Sequence, residues 1–188
     1  HLHQTEEKSM VELLILEEND REQFIKDNQF AFRYGATEEF GKRDAHYEEE
    51  GEIISRKTIE DSIDNGRAYR IVDDGRNAGG LVLHLEGDRG FLDLLFTSPE
   101  LHGRGIGYAA WCEVERLYPQ VKIWETCTPY FETRNIHFYI NKCGFHAVEF
   151  FNVRHPDPND PEEYTADENT ETCGFDGMFR FEKQIDCK

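Results

Sequence analysis

The chain has 188 residues, with 21 Lys and Arg against 39 Asp and Glu and a formal charge of −18; that length suits one domain able to bury roughly two-thirds of its unfolded surface without metals or cross-links. Such acidity argues against a nucleic-acid partner, since phosphates are held by clustered Lys and Arg, and suits either a cationic amine partner or plain solubility. Cys112, Cys127, Cys143, Cys173 and Cys187 form no C-x-x-C pair or zinc spacing, and no apolar run of membrane-spanning length occurs, so the expectation is a reduced, cytoplasmic protein with no metal and no membrane partner.

Residues 10–16 predict a first strand, closed by the helix-starting chemistry of Glu17, Glu18, Asn19 and Asp20. A helix follows over about 21–34, with Phe24, Ile25, Phe30 and Phe32 as apolar content and Gly35 as its stop. Residues 37–52 are charged and weakly periodic, and a short helix near 55–63 ends at Asn65-Gly66. Strands are expected at 68–72, 79–86 and 90–97, joined by polar turns at Asp73-Asp74-Gly75 and Gly87-Asp88 as an antiparallel meander. The next helix puts Ile106, Ala110, Val114 and Leu117 on one face and stops before Pro119. A strand at 121–127 completes a strand-helix-strand crossover, the connection that parallel neighbours need. A helix at 135–143 and strands at 146–153 and 178–184 complete a single α/β (α+β) domain spanning 1–188. Residues 155–177 are acidic and lack Lys and Arg; they read as a surface loop and not a calcium loop, because Pro161 stands where a ligand is needed.

The rest is organised around the run 90–97, the turn Ser98-Pro99-Glu100-Leu101 and the loop His102-Gly103-Arg104-Gly105-Ile106-Gly107. Alternating glycines where a strand hands over to a helix let the backbone turn tightly and aim several unpaired N–H groups at one spot. The helix dipole adds partial positive charge there and Arg104 a full one, so a phosphate or diphosphate is the expected occupant. A nucleoside-triphosphate loop would need a Gly-Lys-Ser/Thr ending, and a dinucleotide fingerprint would need glycine where Tyr108 stands. The segment instead resembles the acyl-CoA loop of the GNAT N-acetyltransferases, Gln/Arg-x-x-Gly-x-Gly/Ala, with His102 in place of the usual Gln or Arg. A second stretch is similar to the same family. Asn135, Phe138, Tyr139 and Lys142 at helical spacing, then Gly144-Phe145, resemble its Asn-x-x-Phe/Ala-x-x-x-x-Tyr-x-x-x-Gly-Phe signature in a shortened Asn-x-x-Phe-Tyr-x-x-x-x-Gly-Phe form. The two motifs place the acyl-CoA-binding core at about 81–151.

This resemblance implies a mixed, mostly antiparallel sheet of about seven strands with helices on both faces, acetyl-CoA as cofactor and CoA as product. Leu95, Phe96 and Thr97 would meet the cofactor arm in a slot beside the next strand, and His102, Gly103, Arg104, Gly105, Ile106, Gly107 and Tyr108 would hold the diphosphate. Asn135 would hydrogen-bond the arm, Phe138 would pack near it, Lys142 would add positive charge, and Tyr139 would sit by the sulfur. Residues after the first strand would roof the acceptor pocket, which makes Glu48, Glu49 and Glu50 candidates for holding an amine or else a solvated surface. Homodimerisation through the last strands is a further option within that family.

Chemistry explains the tyrosine. Acyl transfer from a thioester expels a thiolate whose conjugate acid has a pKa of about 8.5, and a phenol of about 10 can donate a proton to it as it leaves. A backbone N–H near Leu95 or Phe96 would stabilise the carbonyl oxygen in the transition state. The attacking amine must lose a proton. Asp93 and Glu125, carboxylates inside apolar runs, are the candidates to accept it, unless each is merely exposed or paired with an Arg; His84 and His137 are substitutes. The preferred reading is acetyl transfer from acetyl-CoA to a primary amine by direct attack in a ternary complex. A non-catalytic acyl-CoA-binding or sensing module is the alternative, followed by an interaction protein whose acidic loop 157–176 contacts a basic partner.

Overall fold

The computed structural model describes residues 10–36, 47–160 and 177–186. In chain order the elements are β1 (Val11–Ile15), α1 (Arg21–Tyr34), α2 (Arg56–Asn65), β2 (Arg67–Asp73), β3 (Arg76–Glu86), β4 (Arg89–Thr97), α3 (Ile106–Leu117), β5 (Ile123–Pro129), α4 (Thr133–His137), β6 (His146–Phe151) and β7 (Met178–Gln184). The strands make one seven-stranded sheet, ordered β1-β2-β3-β4-β5-β7-β6. The β4–β5 ladder is parallel, as the crossover through α3 demands, while β1–β2, β2–β3, β5–β7 and β6–β7 are antiparallel. The expected α/β fold with a mixed, mostly antiparallel sheet is the one observed. Two compact units divide the chain: His1–His84 with Leu94–Pro119, and Leu85–Asp93 with Gln120–Lys188.

In the first unit, Phe24, Ile25, Asn28 and Ala31 recur at helical spacing and form the buried face of α1. Phe24, Ile25 and Ala31 pack with Ile54, Ile59, Val82, Leu94 and Phe96, each of these side chains larger than alanine contributing about 1.5–3 kcal/mol on full burial. Gly80 permits the close approach, since a Cβ there would lie 2.3 Å from a ring carbon of Phe24 and 2.8 Å from one of Phe96. Arg70, 4% exposed, ties β2 to α1 through Asp20 at 2.6 Å and Asp27 at 3.0 Å, with its guanidinium over the ring of Phe24. Buried, that charge requires its carboxylates: removing one partner from such a pair typically costs about 3–5 kcal/mol. Ala68 pairs with Val82 on the α1–α2 side, whereas Tyr69 pairs with Leu81 and bonds Tyr118 just beyond α3. Alternation along β2 therefore places α1–α2 and α3 on opposite faces.

In the second unit, β5 lies between β4 and β7. Trp124, Phe145 and Phe181 are fully buried, and Gly90 is required beneath the indole, because a Cβ there would sit 2.3 Å from a Trp124 ring carbon. The strand expected at 121–127 is displaced two residues toward the C-terminus. Lys122 is held outside the β5–β7 ladder, donating its N–H to Asp88 at 2.7 Å and accepting from Ile185 at 2.8 Å, and the ladder runs on to Pro129↔Met178. β6 stops at Phe151 and not at Val153, because Asn152 and His155 exchange both backbone hydrogen bonds at 3.0 Å and turn the chain. Of the expected acidic loop 155–177, residues 161–176 lie outside the described residues, as do residues 37–46 of the charged segment.

Candidate active site

The first unit supplies a loop built from main chain. Ser98 leaves β4 by donating its N–H to Ala78 at 2.8 Å, and a short turn, Pro99–Leu101, delivers the chain to His102. Gly103 and Gly105 have φ of 82° and 71°, a region that disfavours a residue with a Cβ by roughly 1–2 kcal/mol; the glycine spacing is thus a backbone requirement. Gly105 is the N-cap of α3 with no side-chain cap, and among the described residues no group accepts a hydrogen bond from the amides of Gly103, Arg104, Gly105, Ile106 or Gly107. Unpaired amides at the positive end of a helix form an anion site. Arg104 is exposed and makes no ion pair among the described residues. His102 meets Tyr34 edge-on, ring centroids 6.1 Å apart, so its contribution is to hold the loop against the end of α1. Phe96 turns its ring into the core against Phe24, leaving only its peptide group to contact a ligand, and Leu95 and Thr97 flank it half-buried. Tyr108 is 48% exposed in the first turn of α3.

The second unit supplies side chains. The parallel ladder has four pairs, Arg89↔Ile123 to Leu92↔Thr126, and Thr126 caps it by donating its hydroxyl to the Leu92 carbonyl at 2.9 Å. Tyr139 is 7% exposed, packs among Phe138, Phe145 and Phe181, and hydrogen-bonds Thr126. Burial pushes its phenol well above the usual range, so it stays protonated at neutral pH as a neutral hydrogen-bonding group. The single helix expected over 135–143 is instead α4 followed by a π-helical turn, Phe138–Lys142, closed by Cys143 N–H on the Phe138 carbonyl at 3.0 Å. Tyr139 and Gly144 are one residue farther apart than Tyr and Gly in the Tyr-x-x-x-Gly-Phe spacing, and the wider turn absorbs the extra residue, as such turns do at functional sites. Asn135, Phe138, Tyr139 and Lys142 consequently differ in burial. Asn135 and Lys142 are exposed with no side-chain hydrogen bond or ion pair among the described residues, Phe138 is half-buried and Tyr139 is buried.

Alternation separates the two kinds of titratable group. Thr126 shares the Tyr139 face, so its neighbour Glu125 points to the other; Glu125 pairs with Phe91, and Asp93, two residues beyond Phe91, lies on the Glu125 face. Glu125 is hydrogen-bonded to Arg89 and lies 3.3 Å from Arg180, which also holds Glu182 at 2.6 Å and Glu149 at 3.0 Å. The Arg-paired alternative thus describes Glu125, whereas Asp93 is exposed. Burial pushes the neighbouring Cys127 thiol up to about 12, which excludes a ready thiolate nucleophile. His137 is engaged by Asn141 at 2.8 Å.

Glu48 and Glu49 serve α2. Glu48 accepts from the Ser55 N–H at 2.9 Å and the Thr58 hydroxyl at 2.6 Å, and Glu49 from the Arg56 N–H at 3.1 Å and Gln29 at 2.8 Å. Both satisfy donors that a helix start leaves open, a role the run of Glu residues did not signal.

A strand that ends in an uncapped glycine loop at a helix N-terminus, on a mixed seven-stranded sheet, presents a main-chain anion site. The model of the Acetyltransferase (GNAT) family matches residues 22–145. The chain is 40% identical over 183 residues to the uncharacterized protein YrkN of Bacillus subtilis (strain 168), covering 95% of this chain and 96% of that one. This chain therefore belongs to the GNAT acetyltransferase family. Its fold is similar to that of a Bacillus subtilis acetyltransferase in complex with CoA (TM-score 0.58, 16% identity, 95% of this chain and 99% of that one). It is also similar to a GNAT family acetyltransferase from Elizabethkingia anophelis with acetyl-CoA bound (TM-score 0.62, 12% identity, 95% and 100%). The ribosomal-protein-S18-alanine N-acetyltransferase of Escherichia coli is a third such fold (TM-score 0.61, 15% identity, 95% and 96%).

Proposed function

We propose that the protein is an N-acetyltransferase that moves the acetyl group of acetyl-CoA to a primary amine by direct attack. The observation that carries this reading is the set of loop amides, Gly103 to Gly107, that no described protein group engages. They would bind the diphosphate, with Arg104 and Lys142 adding charge and Ile106 and Tyr108 completing the first turn of α3. Peptide groups of Leu95, Phe96 and Thr97 and the side chains of Asn135 and Phe138 would receive the pantetheine arm. Acetyl-CoA supplies the activated thioester; the chain supplies orientation, an acid and a proton acceptor.

Tyr139 is the acid. Its protonated, buried phenol would stabilise the departing thiolate and deliver the proton. Asp93 and Glu125 are the candidates to accept the amine proton, directly or through water, with Glu125 held by Arg89 and Arg180. An amine acceptor is consistent with the chain's acidity and with the acceptor named for the S18-alanine enzyme of Escherichia coli. Free Cys112, Cys127 and Cys143 suit a reduced, cytoplasmic setting, and among the described residues no helix is long and apolar enough to cross a membrane. The test is thiol release from acetyl-CoA across a panel of a polyamine, an amino acid, a peptide N-terminus and a lysine side chain. Release with one or more amines is the expected result. Cofactor binding without release on any of them would favour the acyl-CoA-binding module.

A further inference from the structure

Where β1 ends and β2 begins, the first unit holds an open cavity of about 420 Å³ whose apolar part is Ile15, Leu16, Ile63 and Ala68. It is not the loop already described. Ser98, at the loop entrance, bonds Ala78, whereas Arg67 at the cavity pairs with Leu83; five residues of strand separate the two ends, about 16 Å at 3.3 Å per residue. A volume of this order is typical of small-molecule sites, which combine an apolar lining with a few placed polar groups.

The polar groups here carry both signs. Arg67 has no carboxylate partner among the described residues of a chain in which Asp and Glu outnumber Lys and Arg by 39 to 21. Its guanidinium is instead hydrogen-bonded to Tyr118 and stacked over that ring at 5.9 Å, which fixes its plane and leaves its charge uncompensated. Tyr69, also lining the cavity, bonds the Tyr118 hydroxyl, and burial pushes its phenol up to about 12, so it remains a neutral hydrogen-bonding group. Glu17 and Glu18 line the same cavity from its exposed rim, and Glu18 acts electrostatically on Arg21. Arg21 differs, being held by Asp64 at 2.8 Å.

We propose that this cavity binds a free α-amino acid with an apolar side chain, Arg67 taking the carboxylate, Glu17 or Glu18 the ammonium, and Ile15, Leu16, Ile63 and Ala68 the side chain. A fatty carboxylate would engage Arg67 alone and an alkylamine the glutamates alone; a zwitterion engages both. The site stands apart from the acetyl-transfer reading and does not depend on it.

Calorimetry on the full chain with L-leucine, 4-methylpentanoate and 3-methylbutylamine tests the assignment, the last two being leucine without its ammonium and without its carboxylate. Saturable leucine binding is expected, with each half-ligand at least about tenfold weaker. Arg67→Gln should weaken leucine by at least about tenfold while the circular-dichroism spectrum and Tm, the check on folding, are unchanged. If that variant does not fold, the three-ligand series decides alone. No heat with leucine up to about 10 mM, amine binding as tight as leucine, or leucine affinity unaltered in a folded R67Q would each overturn the proposal.

Discussion

The two units meet chemistry by different means. In the first, the proposed functional groups are peptide N–H donors from Gly103 to Gly107, set by two positive φ angles and by the start of α3. They do not titrate, and they must hold an anion against a surrounding charge of −18. In the second, the proposed groups are side chains: Tyr139, which is buried, Glu125, which Arg89 and Arg180 hold, and Asp93. Backbone suits binding an anion that does not change, and side chains suit moving protons. Damage to the first unit should therefore appear in affinity, and damage to the second in rate and in pH dependence.

The largest effect is expected at Tyr139. Tyr139→Phe keeps the packing among Phe138, Phe145 and Phe181 but removes the proton, so kcat should fall by about 100-fold or more, with CoA affinity changed by less than about threefold. Equal rates for the two proteins would take Tyr139 out of the mechanism. Gly90→Ala comes next, as a stability effect within the second unit. A Cβ would meet the Trp124 ring at 2.3 Å, an overpacking that costs about 1–3 kcal/mol and should lower Tm by roughly 3–10 °C.

Gly105→Ala is the complementary change in the first unit. A Cβ there meets nothing within 4 Å, yet φ is 71°, so the cost is backbone strain and not a clash. CoA affinity should drop by about tenfold, the equivalent of 1–2 kcal/mol, with kcat at saturating cofactor retained; the reverse pattern would erase the contrast between the units. The smallest effect belongs to Arg180→Gln. Glu182 is held below the ordinary carboxylate value of 4.5 chiefly by Arg180, and Glu149 by His155 and Arg180. Their contribution is thus present above pH 4.5 and lost as pH falls through the lowered values. R180Q should lower Tm by no more than about 3 °C at pH 7 and should flatten the acid limb of a Tm-versus-pH curve. An unaltered acid limb would show that the pairs are not formed.

Local chemistry made most of the fold legible. Apolar spacing, Ser55, Gly66 and Pro119 bounded the helices to within about two residues, and Asp74-Gly75, with φ of 49° and 76°, marked its hairpin. The glycine loop was readable because it acts through backbone, which only glycine at set positions allows. What stayed hidden depends on partners remote in sequence. Glu125 looked like a carboxylate in an apolar strand because Arg89 and Arg180 are 36 and 55 residues away. Glu48 and Glu49 looked like pocket groups because their α2 donors lie seven residues ahead. The π-helical turn could have been suspected from the extra residue between Tyr139 and Gly144, but a helical spacing rule treats 135–143 as one continuous helix. The cavity at Arg67 joins the end of β1 to the start of β2, a meeting that only the β1–β2 pairing creates.

Titration of the purified chain with CoA, followed by heat, tests the central claim most directly, alongside the G105A variant. The account predicts one site per chain with micromolar affinity, weakened about tenfold in the variant. Absence of heat up to millimolar CoA, or binding that G105A leaves untouched, would contradict it.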